Sequence, residues 1–149
     1  MANTKVQVEA EKWIRENELP RLYNQTFRQR GLLLRSKGEF KFDAVSDDGN
    51  IVAAISTSGG VTASGKLAVA KLMKIRSDAY WFLMLAQKPK QMLLVFTDQS
   101  MIDLISNEKK KGRFPPELEI VKVSLPPDIQ EKLIASQKIA SDEVSPRRM

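Results

Sequence analysis

From Val6 to Asn17, Val8, Trp13 and Ile14 stand among Glu9, Glu11, Lys12, Arg15 and Glu16. That mixture predicts an amphipathic helix opened by Asn3 or Thr4. Pro20 interrupts or restarts it, and Leu22, Tyr23, Thr26 and Phe27 keep a helical spacing up to Gly31, whose freedom at positive φ makes a natural stop. The period then changes. Leu32–Leu34 reads as a short buried strand, and Glu39–Val45 alternates polar with apolar, the mark of a strand with one packed face. Asp48-Gly49, inside Ser46–Asn50, is a strong hairpin signal because both residues tolerate the positive φ of a tight turn. Ile51–Ser56 is the returning strand.

After Thr57–Gly60, the apolar set Leu67, Val69, Ala70, Leu72, Met73 and Ile75 recurs at helical spacing among Lys66, Lys71, Lys74 and Arg76, which predicts a basic amphipathic helix. The runs Ala79–Ala86 and Met92–Phe96 read as buried strands, with helical continuation through Leu85 as the alternative for the first, since short apolar runs carry no decisive period. Thr97–Ser100 supplies a cap for a helix through Met101, Ile102, Leu104 and Ile105 that ends near Gly112. Glu117–Val123 alternates as a strand. Pro127 and Asp128 suit the first turn of a last helix packed through Ile129, Leu133, Ile134 and Ile139. The expected organisation is one α/β domain over residues 1–140, a mixed sheet with helices, and a flexible basic tail over 141–149.

The chain has 149 residues, 42% hydrophobic and 28% charged, and neither cysteine nor histidine. Disulfides, thiolate zinc sites and every catalytic arrangement built on His or Cys are therefore excluded, leaving Asp, Glu, Lys or Tyr for any chemistry. No stretch approaches the roughly 18 apolar residues of a membrane span and no apolar leader opens the sequence, so a cytoplasmic protein without membrane association is expected. The net charge is +6. Between Leu19 and Lys41, Arg21, Arg28, Arg30, Arg35, Lys37 and Lys41 face one acid, Glu39. Lys66, Lys71 and Lys74 follow, and such clustering favours a polyanionic partner, nucleic acid first.

With Asp48 and Gly49 at the tip of the turn, Asp43 lies opposite Ala54 and Lys41 opposite Ser56, and a four-residue loop keeps the same register. Alternation then puts Glu39, Lys41 and Asp43 on one face beside Ala54 and Ser56, with Phe40, Phe42, Ala53 and Ile55 on the other. Two carboxylates and an ammonium share that face. Gly60–Lys66 also fits the G-x(4)-G-K part of a phosphate-binding loop, but Leu67 stands where the metal-binding hydroxyl belongs. That segment reads instead as a Gly/Ser connection.

A helix, three meandering strands, a basic helix and a further strand, with Lys41-Phe42-Asp43-Ala44-Val45 followed by Ile51-Val52-Ala53-Ala54-Ile55-Ser56-Thr57, resembles the PD-(D/E)XK (restriction endonuclease-like) nuclease superfamily. The resemblance implies an αβββαβ core with an extra C-terminal strand and helix. Asp43 matches the family's metal-binding Asp, whereas Ala54 and Ser56 stand where the second acid and the catalytic Lys are expected. It implies a nuclease-fold domain that binds DNA, or less readily RNA, with weakened or lost cleavage. The enzymatic alternative is a Mg²⁺-dependent nuclease whose rearranged catalytic set is Asp43, Lys41, Glu9 and Lys66, with Asp43 as metal ligand. Glu11 and Glu39 are further carboxylates to consider, Glu39 being roughly 13 Å from Asp43 along the strand. Arg28, Arg30, Arg35, Lys37, Lys66, Lys71 and Lys74 are the expected nucleic-acid contacts. A homodimer is compatible with this reading, and a protein-interaction or structural domain is the remaining class.

Overall fold

The computed structural model describes residues 4–144. The first apolar stripe forms α1 (Thr4–Trp13), a wide π turn over Ile14–Glu18, and α2 (Leu19–Tyr23). Pro20 explains the wide turn, because its ring crowds the preceding carbonyls and it has no N–H to give back to them. Asn24, left-handed at φ 56° and bonded to Pro20 O, closes α2. The helix thus stops well before Gly31.

Gly31 lies inside β1 (Phe27–Leu33), which corrects the expected helix stop and the short strand at Leu32–Leu34. The reason for glycine there is lateral. A Cβ at Gly31 would lie 2.5 Å from Glu39 Oε1, whose side chain lies over it. β2 (Glu39–Ser46) and β3 (Ile51–Ser56) form the expected hairpin. Its loop is Asp47–Asn50, with Gly49 at φ 74° and its N–H on Ser46 O, while Asp48 Oδ1 accepts from Ser46 Oγ and the Asn50 N–H.

α3 (Val69–Leu83) absorbs most of the run expected as a strand at Ala79–Ala86. Leu72, Ile75, Ala79 and Phe82 are buried while Tyr80 and Leu83 are exposed, so the run packs on one side with helical spacing rather than on both sides as a central strand would. β4 (Gln91–Phe96), α4 (Gln99–Lys110), β5 (Leu118–Lys122) and α5 (Pro127–Val144) complete the order. Asp98 caps α4 by accepting the Ser100 N–H. α5 continues through Ser141–Val144, where a tail was expected, and 145–149 lie outside the described residues. Ile129 and Leu133 pack as expected, whereas Ile134 is exposed.

The strands make one five-stranded mixed sheet in the order β1-β2-β3-β4-β5, with β1-β2-β3 antiparallel and β3-β4-β5 parallel. Apolar cores lie on both faces. Phe42, Val52, Ala54, Leu94 and Phe96 pack with α3 and α4, while Ala44, Ala53, Ile55, Leu93 and Val95 pack with α1 and α5. No helix among the described residues is long and apolar enough to cross a membrane.

Candidate functional site at the fork of the sheet

β2 belongs to two ladders that cannot both stay in step. Against β1, Arg28 pairs with Val45 and Arg30 with Phe42, so two steps along β1 correspond to three along β2, and the extra residue is a β-bulge at Asp43 and Ala44. Against β3, Ala44 pairs with Ala53 and Val45 with Val52, which is the register expected from the turn. The ladder does not continue to Lys41 and Ser56. Asp43 fills the break, its Oδ2 accepting the Ile55 N–H at 2.8 Å in place of a backbone carbonyl.

The strands therefore fork beyond Asp43. A cavity of about 40 Å³ opens there, lined by Phe40, Phe42, Asp43, Ala54, Lys74 and Asp78. It has room for water but not for a base. From the α3 side, Lys74 Nζ donates to Asp78 Oδ1 at 2.7 Å, and the Asp78 carboxylate is buried while the lysine is largely exposed. From α1 and the turn after it come Glu11 and Arg15, the latter donating Nη1 to Asp43 O at 3.2 Å.

Crowding of like charges marks the fork. Burial, followed by the Asp43 carboxylate, pushes Glu11 up to about 7 against the opposing pull of Arg15 and Lys74, with Asp78 adding to the rise. Burial also raises Asp78, with Asp43 contributing, although Lys74 pulls the other way. Three acids from α1, β2 and α3 thus act on one another through the gap, held by one lysine and one arginine. Asp43 and Asp78 are each already engaged, by a backbone N–H and by Lys74. Among the described residues no three acidic side chains are grouped to hold a metal ion. One oxygen of each carboxylate is taken, and Lys74 sets a positive charge against Asp78 where a cation would have to compete with it.

Several expected site residues stand elsewhere. The bulge shifts the phase of β2, so Phe40 and Phe42 join the α3-side core with Ala54, and exposed Lys41 between them projects away. The expected division of faces is corrected accordingly, and Lys41 does not line the cavity. Glu9 is exposed and meets Lys132 of α5 at 3.8 Å; two residues apart on a helix point about 200° apart, so Glu11 faces the fork and Glu9 cannot. Glu39 lies over Gly31. Lys66 sits on an exposed loop that bonds itself: the Thr62 N–H goes to Lys66 O, that of Gly65 to Thr62 O and that of Lys66 to Thr62 Oγ1. Those amides are not free to cradle phosphate.

Of the expected basic contacts, Lys74 reaches the cavity and Lys71 lies one turn before it on α3. Arg35 and Lys37 lie on the β1–β2 turn, which joins α3 through the Arg35 N–H to Met84 O. Arg28 is at the far end of β1, 3.5 Å from Asp47, and Arg30 is exposed along the same strand. Asp78 was missed, although its spacing of four from Lys74 is the helical ion-pair spacing. Comparisons with protein-family models, curated proteins and solved structures found no match.

Proposed function

We propose that this chain is a nuclease-fold domain of the restriction endonuclease-like kind that holds nucleic acid, DNA before RNA, across the fork of its sheet, with cleavage weakened or lost. The observation that carries this reading is the fork itself, where Asp43 of β2 and Ala54 of β3 line one small cavity at the end of the β2–β3 ladder. An antiparallel hairpin followed by a helical crossover to a parallel strand supports the αβββαβ core. Lys71, Lys74, Arg35 and Lys37 stand near one end of the sheet, where a phosphate backbone would meet them.

Weakened cleavage follows from the side chains that remain. β3 contributes Ala54 and Ser56, and the carboxylates supplied by β2 and α3 are already partnered. Titrating labelled duplex and single-stranded oligonucleotides at several salt concentrations tests the reading, since phosphate contacts weaken in proportion to log salt. Salt-sensitive binding with little strand scission in Mg²⁺ or Mn²⁺ is the expected result. No binding at low salt refutes it. Metal-dependent scission abolished by Asp43→Ala replaces it with an active nuclease rearranged around Asp43, Lys74 and Asp78.

A further inference from the structure

α3 has an exposed apolar side that the fork does not use. Val69, Met73, Tyr80 and Leu83 are 58%, 53%, 53% and 47% exposed. Steps of four, seven and three separate them, so at roughly 100° per residue they fall within about 80° of arc and form one stripe along the whole helix. Single exposed apolar residues are ordinary on a surface, whereas four in heptad register have the form of a helix–helix seam. Val61 and Leu67, also exposed, bridge to each other in the loop that leads into the stripe's N-terminal end. Lys74, at the fork, lies about 140° around the helix from Val69.

The stripe has one polar member, Arg76, seven residues from Val69 and seven from Leu83. Its Nη1 donates to Met73 Sδ at 3.7 Å, and its Nη2 donates to Oε1 of buried Glu108 on α4. Arg113 Nη1 reaches the other oxygen of Glu108 at 3.4 Å. Two guanidinium groups thus share one carboxylate, and a single positive charge is left over at the middle of an apolar face. That remainder selects the occupant. A helix laid on the stripe would cover the charge, and covering it without a counter-charge is costly, so the partner must bring a carboxylate to that point. A second copy of this chain would bring Arg76 and Arg113 again, on a molecule of net charge +6, and set like charge against like. A phosphate backbone would satisfy the charge but leave the four apolar side chains without apolar cover.

We propose that this side of α3 docks an amphipathic helix of a partner protein, its apolar stripe packed along Val69, Met73, Tyr80 and Leu83 and an acidic side chain at its middle paired with Arg76. Met73 and Tyr80, on either side of the arginine, are the anchors. Docking here is independent of nucleic-acid binding at the fork, and either stands without the other.

The test displays helix-forming peptides of about 18 residues, long enough to match α3, with their stripe positions randomised. Selection is on the immobilised full chain, with counter-selection on its Met73→Glu variant. Enriched peptides are expected to carry apolar residues at heptad spacing and Asp or Glu at the middle. A labelled synthetic copy of one of them, titrated by fluorescence anisotropy, should lose roughly ten-fold or more in affinity against Met73→Glu, and as much when its central acid is replaced by Lys. Should thermal melts show that Met73→Glu does not fold, Tyr80→Glu takes its place throughout. No enrichment over the variant chain overturns the docking face. Enrichment with no preference for an acid at the middle overturns the acidic partner. Self-association in sedimentation that Met73→Glu abolishes makes the face a contact between copies of this chain and overturns the partner helix.

Discussion

Glu11 shows what the fork costs a single residue. Its folded-state value of about 7 lies above the ordinary 4.5, so the folded chain holds the proton more tightly than the unfolded chain does. The associated stability is fully present below about pH 4.5 and is lost as pH rises through about 7. Glu11→Gln removes that titration. It is expected to leave stability unchanged near pH 4 and to raise it at pH 8 by on the order of 1–3 kcal/mol, as measured by urea unfolding at both pH values. Loss of one negative charge should also favour phosphate near Lys74, so the same variant should bind oligonucleotides more tightly at pH 8, with the difference shrinking toward pH 5.

Among the elements, the sequence was readable where period and turn chemistry agreed. β2, β3, β4, β5 and α4 fall close to their expected positions, and Asp48-Gly49 set the hairpin register that pairs Ala44 with Ala53 and Val45 with Val52. Two elements were misread for physical reasons. The stretch from Leu22 to Gly31 carried helical spacing, but Asn24 ends the helix by taking the left-handed conformation, and nothing local separates such an asparagine from one inside a helix. The run Ala79–Ala86 is apolar all round, which hides its period. Continuing Leu72, Ile75, Ala79 and Phe82 in steps of three and four would have revealed it. Phe82 is 2% exposed and packs on Phe42 with ring centres 5.3 Å apart, so Phe82→Ala should cost about 3–5 kcal/mol in denaturant unfolding with the slope unchanged. Exposed Tyr80, one turn from Met84, should tolerate Ala with little change in stability. The candidate site was less legible because the bulge that creates it is an irregularity between strands, invisible to a pattern read along one strand.

On the scale of the molecule, the net charge of +6 survives internal ion pairing, because each buried acid takes at least one cation with it. Glu108 is 4% exposed and is held by both Arg76 and Arg113, and Asp78 is held by Lys74. Lys71 faces water. Lys71→Ala should therefore flatten the dependence of log affinity on log salt by roughly 0.7 for single strands, measured by fluorescence anisotropy across a salt series. The β2 bulge also imposes a rule of length. One supernumerary residue keeps Asp43 in the gap while Phe42 and Ala44 fill opposite cores. Deleting a residue between Phe42 and Val45 would bring one strand half into phase with the other and press a carboxylate toward an apolar layer. In this segment the number of residues constrains the chain as firmly as their identity, because the carboxylate of Asp43 reaches the Ile55 N–H only while the extra residue holds it in the gap.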